Sequence, residues 1–220
     1  RYTSRFLSNT SRTVVFCGGA VYTVPMIIVD VEATGVDARL CSLLSVGAVE
    51  FEKPENIFYM ECRAFEGAHV EKEALVISGF TETQVRDEKK RTDREVVLAF
   101  LDWLKTCKEW TLAGQNPSFD RSFLEETAHR YHINWPLAHR TVDLHSIAYY
   151  HIKKRGLEPP QKNNHSALNL DRILRYVGLP TRAKKHNALE DAKLEAEAFS
   201  RLLYQKNLLP DYRGLPLSAI

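Results

Sequence analysis

The 220 residues carry 30 Lys and Arg against 28 Asp and Glu, a formal net charge of +2, and are 44% hydrophobic and 26% charged. Such a chain can bury a core without disulfides or a structural metal and is too apolar to be mostly disordered, so one compact water-soluble domain is expected. Its pI near 8.3 suits a polyanionic partner but is too mild to imply nucleic acid unaided.

Cys17, Cys41, Cys62 and Cys107 are widely spaced and form no CxxC. That spacing argues against a zinc ribbon or a thioredoxin-type site and favours reduced thiols in an intracellular, cytoplasmic setting. No apolar run approaches the roughly 20 residues that span a bilayer, so no membrane partner is expected. Residues 14–24 are mildly apolar behind Arg1, Arg5 and Arg12, but Gly18 and Gly19 interrupt them and a signal peptide is not expected. The first methionine, Met26, stands directly before the first convincing strand, which sets residues 1–25 apart as an extension of no readable role.

In chain order, residues 26–31 (MIIVDV) are a continuous apolar run ending in acid, the pattern of a central strand that delivers a polar group at its tip. Gly35 marks a turn, and residues 43–51 and 57–63 read as two further strands of an antiparallel meander, parted by Pro54 and Asn56. Asp93 is expected to cap a helix through Lys105 with Val96, Val97, Phe100, Leu101 and Leu104 on one face. A short strand over 110–114 leads through a turn into a helix over 118–131, with Phe119, Phe123 and Leu124 buried. Residues 141–144 read as another strand, and 153–164, with their charge cluster, two prolines and polar tract, as an exposed loop. A helix over 167–177 stops at Gly178 and Pro180, and a last helix runs over 188–204. Strands first, then alternating helices and strands, predict an α/β protein with a mixed sheet flanked by helices.

Three places carry chemistry. Asp30 and Glu32 lie two apart at a strand end, and strand alternation puts both carboxylates on one face. So close a pair calls for a compensating cation, and oxygen donors select Mg²⁺ or Mn²⁺. An isolated pair of this kind is more often just a solvated strand end. Asp120 sits where a strand passes into a helix and could face the same cleft, although the helix dipole alone would account for an acid there. If Asn187 caps the last helix, His186 stays in the preceding loop while Asp191 sits in an early turn, and the two can converge. A neutral imidazole can take a proton from water near neutral pH. His129 and His132 have no third ligand at useful spacing and are read as ordinary surface or half-buried histidines.

Taken together, residues 28–35 (IVDVEATG), 114–120 (GQNPSFD) and 186–192 (HNALEDA) resemble the three ordered motifs of the DEDDh exonuclease family, which includes polymerase proofreading subunits and ribonuclease T-like trimming enzymes. The resemblance extends over about residues 26–204, including the 78–81 run SGFT, the Asp143 segment and the helix ending near Pro180. Ser78 departs from the many relatives that carry histidine before that glycine, so substrate inference from this loop is not supported. The resemblance implies a ribonuclease H-like fold with a mixed five-stranded sheet, a catalytic domain over 26–206 and a C-terminal tail over 207–220. It implies a metal-dependent 3′→5′ exonuclease that releases nucleoside 5′-monophosphates from single-stranded DNA or RNA. Asp30 would bridge two Mg²⁺ or Mn²⁺ ions, Glu32 and Asp191 would complete the site of the nucleophile-binding ion, Asp120 would hold the second through water, and His186 would be the general base.

Thr34 and Val36 are candidates to receive the terminal sugar and wedge against its base, with Asn116 and Phe119 behind them and Lys185 as a phosphate contact. Arg182, Lys184, Lys153, Lys154 and Arg155 could also meet phosphates, although such runs are commonly just solvated. Two rivals stand beside this reading: a catalytically silent nucleic-acid-binding or polymerase-associated scaffold, and an endonuclease of the same fold. The complete set of four acids and a histidine speaks against the first, and the third motif against the second. DNA against RNA preference, a polymerase partner in trans and a monomeric or homodimeric state are left open.

Overall fold

The computed structural model describes residues 24–217. The proposed extension over 1–25 therefore lies almost wholly outside the described residues, as does Cys17. Among the described residues no helix is long and apolar enough to cross a membrane.

The central sheet is mixed. β1 (Ile27–Ala33), β2 (Leu43–Glu50) and β3 (Ile57–Glu61) form an antiparallel meander, and β4 (Leu112–Gly114) and β5 (Thr141–Asp143) continue parallel to β1, in the order β3-β2-β1-β4-β5. Strand alternation divides β1 between two cores. Ile27, Val29 and Val31 face α3 (Asp93–Leu104) and α4 (Pro117–Arg130), where Val96, Phe100, Phe123 and Leu124 are buried. Ile28 faces the other side, against α5 (Leu144–Lys154), α6 (Leu170–Tyr176) and α7 (Ala188–Tyr204). Asp30 and Glu32 share the parity of Ile28 and so belong to the α7 side.

α7 lies close against β2 because Gly47 has no side chain. A Cβ at Gly47 would stand 2.2 Å from the Ala188 carbonyl carbon and from the Leu189 nitrogen. α7 starts where expected, because the Asn187 side chain accepts hydrogen bonds from the Leu189 and Glu190 N–H groups. Its far end carries a buried ion pair. Arg201 donates to Glu197 at 3.0 Å and to the carbonyls of Val177 and Gly178, while the other Glu197 oxygen accepts from Leu208 and Leu209 N–H. The segment assigned to a tail thus lies on this helix, with Leu208, Tyr212 and Leu215 packed on the core.

Several local expectations are corrected. The cap of α3 is Thr92, in a reciprocal capping box with Glu95, and Asp93 instead sits one residue inside, buried against Arg130 and Tyr131. The expected loop over 153–164 overlaps the last two residues of helix α5, which was not anticipated, and contains the first strand of a hairpin of β6 (Gln161–Lys162) and β7 (His165–Ser166). α6 is shorter than its pattern, because Asn169 caps it and fixes its start at Leu170. Two short helices, α1 (Lys72–Ser78) and α2 (Glu82–Val85), were also unanticipated.

Candidate active site

The C-terminal ends of the parallel strands β1 and β4 open on the same edge, where the connections carry side chains to a common cleft. A cavity of about 390 Å³ there is lined by Asp30, Glu32, Asp120, His186 and Asp191 among others. The five residues are spread over β1, α4, the loop before α7 and α7 itself, and the fold brings all of them together.

Each is held by its own local geometry. Asn116, in the left-handed region at φ 60°, turns the chain from β4 into α4 with Pro117 at the first helical position. Its N–H donates to Asp143 Oδ1 at 3.2 Å, tying the turn to the end of β5. That places Asp120 in the first turn of α4, where its Oδ1 accepts from the Val31 N–H at 2.9 Å and pins helix to strand. The His186 N–H donates to the Ile77 carbonyl at 2.9 Å, strapping the loop to α1. Its Nδ1 lies 3.8 Å from Asp191 Oδ2, and Glu32, His186 and Asp191 each offer a ligand atom within 4.8 Å of the others.

The electrostatics are unbalanced. Burial, then the negative charges of Asp120, Glu195, Asp191 and Glu32, hold the Asp30 carboxyl well above its ordinary pKa. Burial and the charge of Asp191 push Glu32 up to about 8 against the pull of Arg182. Asp120 is raised to about 7 and Asp191 to about 6, in both cases first by burial. The guanidinium within this set belongs to Arg182, 3.4 Å from Asp191 and 3.2 Å from Asp171, and so shared between two acids. A cluster of buried oxygen donors with this charge deficit fits hard divalent cations such as Mg²⁺ or Mn²⁺. His186 is shifted the other way, held below its ordinary pKa by burial and by Arg182, which keeps its imidazole neutral near pH 7.

These shifts set a pH dependence. A carboxyl whose folded pKa is raised stabilises the fold fully below its unfolded pKa, and that contribution is lost as pH rises through the folded value. In EDTA the melting temperature is therefore expected to fall between about pH 5 and 8, as Asp191, Asp120 and Glu32 ionise in turn, with saturating Mg²⁺ or Mn²⁺ flattening the fall. His186 opposes this only below about pH 6.5, one group against several. A metal-free melting temperature that is level or rises across the window would contradict the crowding of ionisable acids.

The substrate-binding expectations divide. Val36, 74% exposed, lines the cleft, as do Asn116 and Phe119, whose ring also packs 5.0 Å from Phe123. Thr34 does not line it. Its side chain is buried, the hydroxyl donating to the His69 carbonyl at 2.6 Å and accepting from the Ser42 N–H at 2.8 Å, so it fastens the turn after β1. Lys185 is likewise outside the cleft lining and packs beside Gly79, while Arg182, from the same basic run, reaches in. Lys153 is paired with Glu158. The cleft also takes in Glu71, Ile77 and Gln115, which sequence reasoning passed over; buried Gln115 Oε1 has no hydrogen-bond partner. Their only sequence signal is position, just beyond a strand or within a short unassigned helix.

Comparison with known proteins speaks to the family and the fold. The RNase T family model, described as an exonuclease, matches residues 27–199. Ribonuclease T of Hahella chejuensis (strain KCTC 2396) is 28% identical over 195 residues, 80% of this chain and 82% of its own. Ribonuclease T of Vibrio vulnificus (strain YJ016) is 26% identical over 166 residues, 64% of this chain and 76% of its own. Among solved structures, the nuclease domain of 3′hExo, a DEDDh family member, bound to rAMP, aligns with a TM-score of 0.65 at 19% identity over 86% of this chain and 96% of that one. Cell-death related nuclease 4 aligns at 0.64 with 17% identity, and E. coli Exonuclease I in complex with a dA16 oligonucleotide at 0.63 with 18%. This chain spans 64% and 41% of those two chains and is covered at 83% and 84% itself. At such identities the structural likeness speaks to the fold, which is ribonuclease H-like.

Proposed function

Since this chain belongs to the DEDDh 3′→5′ exonuclease family, we propose that it hydrolyses single-stranded nucleic acid from the 3′ end by a two-metal mechanism with His186 as general base. The observation that carries the reading is the convergence of Asp30, Glu32, Asp120 and Asp191 with His186 on one cleft. The four carboxylates would hold two ions, Mg²⁺ or Mn²⁺, whose chemistry when bound is Lewis-acid stabilisation of the attacking and leaving oxygens in an in-line displacement.

The chain's own groups supply the rest. His186, neutral and half-buried, accepts the proton of the attacking water through a ring nitrogen. The water oxygen bonds to phosphorus, the bond to the 3′ oxygen of the penultimate nucleotide breaks, and a nucleoside 5′-monophosphate leaves. Val36 and Phe119 offer apolar surface to the terminal base, and Arg182 offers a guanidinium within reach of the phosphate and of His186, 3.3 Å from its Nδ1. The cavity falls within the roughly 300–1,000 Å³ of ligand clefts, room for a terminal nucleotide. Because 3′hExo is bound to rAMP and Exonuclease I to dA16, the proposal covers RNA and DNA alike.

The test is a time course on 5′-labelled single-stranded DNA and RNA with Mg²⁺, Mn²⁺ or EDTA. A ladder shortening from the 3′ end, silenced by EDTA and restored by added metal, is expected. Binding without shortening under every metal condition would replace this reading with a silent binding module, and internal cuts would replace it with an endonuclease.

A further inference from the structure

One buried acid beside the site has no part in the scheme above. Glu195 follows Asp191 by four residues on α7, so both carboxyls leave the same face of the helix. Glu195 is 2% exposed. Its space is made by Gly114 at the end of β4, where a Cβ would stand 2.9 Å from Glu195 Oε2 and 2.9 Å from the Val29 carbonyl oxygen. The Gln115 backbone N–H bonds to the Glu195 carboxylate, but Oε2 has no partner. Asp120 and Asp191 both act on it as neighbouring negative charges, and it in turn acts on Asp30 more strongly than Asp191 or Glu32 does. A buried carboxyl oxygen without a donor costs desolvation when ionised; among acids either a proton, which burial and Asp120 favour here, or a bound cation relieves it.

We propose that Glu195, which does not itself line the cleft, is a fifth carboxylate of the divalent-cation centre, one helical turn from Asp191 on α7 with its free Oε2 beside Gly114. The inference rests on the metal-centre reading above. It gives Gly114 a second role besides close strand packing: any side chain there would crowd Oε2. It also sets α7 as the element with two carboxylates in the centre, Asp191 and Glu195, one helical turn apart.

The test is Mn²⁺ binding by isothermal titration calorimetry on the full chain, comparing wild type with Glu195→Gln and Glu195→Asp, with thermal melting in EDTA beside it. Glutamine keeps the shape and the acceptor for Gln115 while removing the charge. Mn²⁺ affinity is expected to fall about tenfold or more in Glu195→Gln, the scale of losing a supporting group at a metal site. Its melting temperature in EDTA is expected to hold or rise, because a repelling charge has gone. Mn²⁺ affinity within twofold of wild type would reduce Glu195 to a structural acid and overturn the proposal. Should the glutamine variant not fold, Glu195→Asp decides, since it retains the charge but withdraws it by one methylene: weaker binding supports the ligand role and unchanged binding overturns it. If wild type itself binds no Mn²⁺, the metal-centre reading fails and this inference with it; wild-type binding with an indifferent Glu195 sinks this inference alone.

Discussion

Asp30→Asn is expected to abolish 3′-end shortening while making the metal-free protein harder to melt. Asparagine preserves the volume of the side chain on β1 and removes the carboxylate most crowded by its neighbours, with Asp120, Glu195, Asp191 and Glu32 all bearing on it. A loss of about 10³-fold or more in single-turnover rate follows if the carboxylate stabilises charge in the transition state. Stability moves the other way, because the buried negative charge that desolvation opposes is gone. The pairing of outcomes is the diagnostic part. Loss of activity together with a marked fall in melting temperature would point to a collapsed site and leave the catalytic assignment without support.

Arg201→Met is expected to be among the most destabilising single changes in the molecule without touching the cleft. Both partners of the Arg201 and Glu197 pair are fully buried. The guanidinium donates to Glu197 Oε1 and to the carbonyls of Val177, Gly178 and Pro216, at 2.9 to 3.2 Å, while Glu197 Oε2 accepts from Leu208 and Leu209. Methionine fills much of the volume but leaves Glu197 charged in an apolar setting and several carbonyls unsatisfied. Breaking such a pair by removing one partner costs about 3–5 kcal/mol. Urea unfolding would measure it, and limited proteolysis would show new cleavage within 207–217. A change under about 1 kcal/mol would show that water replaces the guanidinium freely. Arg201→Lys should recover little, since an ammonium cannot span carbonyls on both sides of the helix with a planar fork.

Much of this was legible in the sequence, and the reason differs from part to part. β1, β2 and α7 were readable because long apolar runs and a well-formed Asn cap leave few alternatives. The five catalytic candidates were readable only as a set, through three ordered motifs that resemble the family, because each alone had an ordinary structural explanation; the structure places all five on one cleft. α5 escaped because its buried residues Leu144, Ala148 and Ile152 are diluted by His145, Tyr149, Tyr150 and His151, which favour helix weakly and suggest a strand or loop. α1 escaped because seven residues are too few to show a period. Thr34 was misjudged because a polar residue next to a catalytic motif invites a substrate role, when the turn's own backbone had first claim on the hydroxyl. Glu195 was invisible in a run of alternating Glu and Ala that reads as a solvated face; only counting one turn on from Asp191 exposes it.

The close seating of α7 on Gly47 has a consequence for the time before the protein is finished. The meander of β1 and β2 leaves the ribosome before the helix that covers its Ile28 face, brings Asp191 and places His186, which is synthesised about 140 residues after β2. Such distant partners meet slowly compared with local structure. A nascent chain therefore holds Asp30 and Glu32 on a sheet that α7 does not yet cover, with neither His186 nor Asp191 in reach. The cleft and the native core are completed in the same closing step, so a chain that lacks α7 has neither Asp191 nor the cover of the Ile28 face.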